Sequence, residues 1–395
     1  MKARSLHLVF MGGILLMLTA PVTVEKAHAF SYLVCEDIFE REDEFDWPGE
    51  HIRWRAHSRT FPAGSIRRSA LVFVCRLWNR APGQFTFDEE PRWGDRAVGR
   101  RNGQNEAWFS TNEDILDGAP AICSRDLECF CGLGGCSAEI VEADIVFDAN
   151  VNDVNWTYLD NGRMGGRTTM RAYGGALRPF ETTASHEMGH ALGLEHNNYN
   201  YNIMGIDFTH ISTNDEAVVY YVGEDAGNGE IFLYGADGGR LRNDVGVVHW
   251  KYGGAGGRGN EYSVHVLTQI YADDGVTVVG SDAFQRMRRY QVRAGSTYRV
   301  EFTYENNGVD DHDEVDVAYY ISTDNWITSR DRRIRTRTLG LNRNGVYTAL
   351  HSLTIPNDLV VGQTYWIGVI VDYMDHIEEW QESNNATYTP IEIIP

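Results

Sequence analysis

The sequence predicts an α+β domain, a twisted mixed sheet with helices, followed by an all-β sandwich. Helix-period and strand-period patterns alternate up to about residue 225. From residue 226 the texture changes to short alternating runs separated by Gly, Asn and Asp. The 395 residues suffice for two or three domains, at roughly 100–200 residues each. With 43% of them apolar, each domain can bury a core. The net charge of −21 argues against nucleic acid or an anionic membrane surface as partner.

The first residues read as an export signal. Lys2 and Arg4 supply a positive start, and Leu6 to Ala20 an apolar stretch. That stretch is shorter than the ~20 residues a membrane span needs. Ala27-His28-Ala29 offers a small-residue cleavage site, so the mature chain is expected to begin at Phe30, outside the cell. No later segment is apolar enough to cross a bilayer. The expected organisation is a signal at 1–29, a first domain at 30–225, a β-rich connection at 226–286 and a sandwich at 287–395.

Within the first domain, His51 to Ala56 alternates as a strand does. Ser65 to Trp78 carries apolar residues at helical spacing behind a Ser cap. Phe85-Thr86-Phe87, Ala143 to Phe147 and Thr168 to Tyr173 read as short strands. Helices are expected from about Thr182 to Leu192, capped by Thr182 or Thr183, and from Asn214 to Val222, capped by Thr213 or Asn214. In the second part, Tyr298 to Tyr304, Val315 to Ser322, Tyr347 to Ile355 and Tyr365 to Tyr373 are β-like. Six cysteines, Cys35, Cys75, Cys123, Cys129, Cys131 and Cys136, favour disulfides in an exported chain. Their spacing leaves connectivity open; one arrangement pairs Cys35 with Cys75 and leaves two bridges within 123–136.

The chemistry is concentrated in His186-Glu187-Met188-Gly189-His190-Ala191-Leu192-Gly193-Leu194-Glu195-His196. Imidazoles at i and i+4 lie one helical turn apart on one face, so both reach a single ion. Gly193 lets the backbone take a positive φ, end the helix and turn. The turn brings His196 back as a third ligand. Three protein ligands leave one position open for water, as a catalytic zinc requires. Glu187 stands beside the first ligand as general base.

This motif resembles the signature of the metzincin zinc metallopeptidases, most of all the matrixin branch, because Met204 in Asn202-Ile203-Met204-Gly205 follows His196 closely. The resemblance is strong over 182–205 and loose over the rest of the first half. It implies a metzincin-like catalytic domain with one catalytic Zn²⁺ on His186, His190 and His196, and Met204 as an apolar floor. It also implies a sheet-edge strand, Thr168, Thr169, Met170, Arg171, Ala172 and Tyr173, that pairs with extended substrate, and an S1′ wall from Gly205 to Ile211. The expected reaction is hydrolysis of peptide bonds in extracellular proteins, by a zinc-bound water that Glu187 deprotonates. Three features depart from the matrixin pattern: Asn197 follows the third His, Gly205-Ile206 follows the Met, and no cysteine-switch motif precedes the domain.

Asp148, Asn150, Asn152, Asp153, Asp160 and Asn161 form an oxygen-rich loop that could bind Ca²⁺, although turn chemistry explains it more simply. Asp372-Tyr373-Met374-Asp375-His376-Ile377-Glu378-Glu379-Trp380-Gln381-Glu382-Ser383-Asn384-Asn385 resembles the end of a CARDB domain, a bacterial module with an immunoglobulin-like sandwich. The turn Glu305-Asn306-Asn307-Gly308 and the strand Val315 to Ser322 fit the same resemblance. It implies a cell-surface or matrix partner for the C-terminal part. Asp372, Glu379 and Asn384 are expected to tie a turn by hydrogen bonds rather than to bind a ligand. The alternative to a peptidase is an extracellular adhesion protein whose metallopeptidase scaffold is catalytically silent; intact Glu187 argues against it.

Overall fold

A computed structural model describes residues 22–26, 30–36, 42–132, 135–158, 166–239 and 241–395. Most of the expected export signal lies outside these residues; Val22–Lys26 within it pairs antiparallel with Ser31–Glu36.

The N-terminal part is built on one five-stranded sheet. Its members in chain order are β1 (Trp54–His57), β2 (Arg92–Gly94), β3 (Asn105–Ser110), β4 (Ala121–Gly132) and β5 (Gly135–Asp148). The spatial order is β2-β1-β3-β5-β4. All neighbours are parallel except β4, which returns antiparallel to β5 as the arm of a long hairpin and forms one edge. Cys131–Cys136 links the two arms beside the hairpin's turn, and Cys35–Cys129 ties that end to the strand Ser31–Glu36. Cys75 and Cys123 are not bonded. The Cys35–Cys75 pairing is thereby corrected: Cys75 lies on the buried face of a helix, whereas strand 31–36 runs beside the hairpin.

Helix α1 (Ile66–Trp78) forms as expected. Ser65 Oγ accepts the Arg68 amide at 3.3 Å, and Ala70, Leu71, Val74, Leu77 and Trp78 face the core. Helix α2 (Phe180–Ala191) carries the histidines. It starts two residues earlier than the Thr182 expectation, with Pro179 at its N-cap. Phe180 docks it on the sheet against Phe147, ring centroids 4.7 Å apart. Asn214–Val222 is not a helix. β6 (Ser212–Asn214) and β7 (Ala217–Val219) form a hairpin there, turned by Asp215 at φ 69°, and the helix α3 (Glu224–Tyr234) comes after it. Thr213 and Asn214, read as caps, are strand residues; the β-branched and aromatic run Val218 to Tyr221 favours strand over helix.

Two short-range segments follow. β8 (Val245–Val248) pairs antiparallel with β11 (Thr297–Asn306) of the sandwich, while β9 (Trp250–Gly256) and β10 (Tyr262–Leu267) form a separate hairpin. The sandwich continues through β12 (His312–Ser322), β13 (Val346–Thr354), β14 (Thr364–Val371) and β15 (Ala386–Ile394). Val300, Phe302, Val317, Tyr319, Val369 and Ile391 fill the space between its two sheets, and Tyr304 and Tyr319 hydroxyls meet across it at 2.8 Å. These strands correspond to all four runs read from the sequence, ending one residue short of Ile355 and two short of Tyr373.

The α+β assignment of the first part does not hold. Among the described residues strands account for 46% and helices for 14%, with the strands spread over several sheets. The physical reason is the 121–148 hairpin. Ala121–Gly132 lies at a sheet edge with most of its side chains partly exposed, so it lacks the apolar alternation by which a half-buried strand announces itself. Its cysteines point to disulfide chemistry instead. No described helix is long and apolar enough to cross a membrane.

Candidate metal centre

The histidine helix is buried along its whole length. It ends where expected: Gly193 takes φ 107°, and a Cβ there would stand 2.6 Å from the Phe45 carbonyl oxygen. The turn carries His196 back over the helix. Nitrogens of His186, His190 and His196 all fall within 4.8 Å of one another, and His190 Nε2 is 3.0 Å from His196 Nε2. The Nδ1 atoms of two rings are taken by backbone: His186 Nδ1 lies 2.7 Å from the Ile203 carbonyl and His190 Nδ1 2.8 Å from that of Leu194. Each must donate there, which leaves Nε2 as the bare lone pair. Burial depresses the pKa of all three rings, and neighbouring histidines contribute to this for His190 and for His196, which falls to about 3; for His186 the Asp207 charge opposes it. They are therefore neutral, as ligation requires.

The donors fit zinc. Tetrahedral zinc spaces its nitrogens roughly 3.3 Å apart, and an all-nitrogen set disfavours calcium or magnesium. Met204 packs against the histidine helix: a Cβ on Gly189 of α2 would approach its sulfur to 2.5 Å, so the glycine gives that side chain room. The Asn197 amide donates to the Met204 carbonyl at 3.2 Å, fixing the turn.

Glu187 is buried with one oxygen, Oε2, lacking a hydrogen-bond partner. Burial raises its pKa to about 8, and the Asp207 charge adds to this; Arg178 and the Cys123 amide of β4 oppose it. Arg178 and Asp207 form a buried ion pair. Arg178 Nε also donates to Thr183 Oγ1 at 2.9 Å, so the pair pins the first turn of α2 to the segment after Met204. Arg125 of β4 pairs with Glu195, one residue before His196. None of these four charged residues was legible as a site residue, because each pair joins partners 29 or 70 positions apart.

Two expectations about the cleft are corrected or refined. Thr168–Tyr173 is not a strand: Arg167–Thr169 and Arg171–Tyr173 are successive 3₁₀ turns, and Tyr173 is buried against Thr213 and His249. Gly166 and Gly174, both at φ 76°, bound the segment and curl it. The sheet edge that reaches the histidine helix is β4. The Gly205–Ile211 segment is covered by the β9–β10 hairpin. Ile206 and Ser263 exchange an amide–carbonyl bond of 3.0 Å, and a Cβ on Gly205 would collide with Ser263 Oγ. Thr209 Oγ1 meets His265 Nδ1 at 2.7 Å. The same hairpin lays Tyr262 on His196, ring centroids 4.1 Å apart, and brings Glu261 to 3.9 Å from His196 Nδ1. Sequence reading missed these residues, since nothing in the glycine-rich 250–267 stretch marks it as part of the site.

In the oxygen-rich loop, Asp148 accepts the Asn150 amide at 2.7 Å and Asn150 accepts the Asn152 amide at 3.1 Å, which is turn chemistry. Asp148, Asp153 and Glu113 also come within 4.8 Å of one another. Asp160 and Asn161 lie outside the described residues. Asp372 does tie a turn, accepting the amides of His376 and Ile377 at 3.1 and 2.9 Å.

Comparison with family models matches residues 285–389 to the CARDB model. Residues 285–389 are a CARDB domain. Among solved structures, the CARDB domain of a Pyrococcus furiosus protein, in complex with di-metal ions, is similar at 14% identity and TM-score 0.24, covering 39% of this chain and 96% of that one. A solution NMR structure of the CARDB domain from the same archaeal protein is similar at 19% identity and TM-score 0.21, with coverages of 26% and 85%. Comparison with curated proteins gives no match. The CARDB domain accounts for the sandwich and leaves the histidine centre to be read from its own geometry.

Proposed function

We propose that the chain is an exported zinc-dependent endopeptidase, metzincin-like in its catalytic residues, that hydrolyses peptide bonds of extracellular proteins. One observation carries this reading: three imidazole nitrogens converge beside a buried carboxylate that has an oxygen to spare. A zinc ion on His186, His190 and His196 supplies Lewis acidity that polarises a carbonyl and acidifies water. Glu187 takes the proton of the attacking water and delivers it to the leaving amine. The exposed side of β4 accepts an extended substrate as an added strand, the role first assigned to Thr168–Tyr173. Tyr262 shields the outer face of His196. The CARDB domain docks the enzyme to a cell-surface or matrix partner.

The test is metal analysis of mature, oxidised protein together with cleavage of a denatured protein substrate. Wild type is expected to hold one zinc and to lose cleavage on chelation. Glu187→Gln is expected to keep the zinc and to lose turnover by about 10²–10⁴-fold. Zinc-loaded wild type that cleaves no substrate would favour the silent-scaffold reading; absence of zinc would remove both.

A further inference from the structure

Where β8 meets the CARDB domain, oxygen-bearing side chains crowd into the interior away from the histidine centre. Asp244 and Asn384 are fully buried, and Asn307 and Glu379 nearly so. They come from three separate segments: the residue before β8, the turn after β11, and the 379–385 stretch before β15. The Asn384 amide nitrogen lies 3.1 Å from Asp244 Oδ1. Asn307 and Glu379 also act on the Asp244 carboxyl. Glu379 accepts the Val245 amide at 2.9 Å and Asn385 Nδ2 at 3.1 Å. Two of these side chains border Gly246, where a Cβ would fall 2.9 Å from the Asn384 amide and 3.5 Å from that of Asn307.

Two facts show that the cluster is incomplete as a hydrogen-bond network. Asp244 Oδ2, both amide atoms of Asn307, Asn384 Oδ1 and Asn385 Oδ1 are buried without a partner. Such atoms are costly unless something satisfies them. The two carboxyls also share the interior with no Lys or Arg among the groups that act on them, and Glu382 adds a third negative charge nearby. Burial, and for Glu379 next the Asp244 charge, pushes both pKa values up. A buried acid pair of this kind must hold a proton, or a cation must replace it.

We infer that Asp244, Glu379, Asn307 and Asn384 form a site for a hard divalent cation of the calcium class. Every available ligand is an oxygen from a carboxylate or a side-chain amide, the donor set calcium selects and zinc does not. Amide rotation of Asn384 and Asn307 turns their oxygens inward. Asp244 precedes the CARDB match while the other three lie inside it, so the ion fastens the upstream chain to the domain.

Equilibrium dialysis of chelator-stripped, oxidised full-length protein against calcium tests the site. Wild type is expected to bind one calcium more per chain than Glu379→Gln or Asn384→Ala, with Asp153→Asn binding as wild type does. Wild type that binds none, or both variants binding as much as wild type, would overturn the inference. Should the variants misfold by circular dichroism, terbium luminescence of wild type decides. Trp380, next to Glu379, is expected to sensitise bound terbium, and calcium to displace it. No sensitised emission, or emission that calcium leaves unchanged, would overturn it.

Discussion

At the scale of single residues, the convergence of His186, His190 and His196 was legible because helix geometry alone brings the first two together and Gly193 can reverse the chain; the roles of ligand and general base belong to the proposal. The supports of these residues were not legible. Arg178, Asp207, Arg125 and Glu195 act through contacts that the sequence does not encode locally. Asp144 is a further case. It lies in the middle of the sheet on β5, accepts the Glu106 amide at 3.0 Å through one oxygen, and leaves the other buried and unpaired. Burial raises its pKa to about 9, and the neighbouring Glu142 adds to the rise. The folded form therefore keeps a proton that the unfolded chain releases near pH 4. Stability from this group is full below pH 4 and declines as pH climbs toward 9. Asp144→Asn mimics the protonated state. Urea unfolding is expected to show the variant more stable than wild type by about 1–3 kcal/mol at pH 8, with the difference shrinking at pH 5.

At the scale of elements, the readings that succeeded were those with strong periodicity, α1 and the four sandwich runs. Those that failed lay in segments whose partners are distant. The 121–148 hairpin and the curled 166–174 segment are shaped by disulfides, glycines and tertiary neighbours rather than by apolar spacing. The β9–β10 hairpin is the most consequential, since it covers the turn that holds Met204 and presents Tyr262 to the third ligand. Its fit depends on Gly205, whose missing side chain admits Ser263. Gly205→Ala should lift the hairpin, cost about 1–3 kcal/mol through overpacking, and loosen His196. Zinc competition with a chromogenic chelator would register this as weaker retention, alongside a lowered melting temperature. Unchanged metal affinity would mean that the hairpin only borders the site.

For the whole molecule, the β-rich texture of the later chain was legible, but the helix α3 runs across residue 226, where the texture was read to change, and the way the parts interlock was not legible. β8 is paired into the sandwich although it precedes the CARDB match. His249 bridges Tyr173 at 2.7 Å and Thr387 at 2.8 Å, and Thr387 donates onward to the Thr213 carbonyl. Asn214 and Ile327 exchange two hydrogen bonds, of 2.8 and 2.9 Å. Removing residues 285–395 would strand Val245 and Val247, now fully buried, in water. The truncated protein is expected to aggregate or to melt at least about 10 °C lower, whereas intact protein should give one calorimetric transition. Two well-separated peaks would contradict this coupling.

The position of β8 also bears on how such a chain can be recombined. A graft that exchanges residues 285–389 for a homologous cassette inherits a foreign groove but keeps the native strand meant to fill it. Successful chimeras should therefore need their crossover upstream of Asp244, so that donor strand and donor sheet travel together.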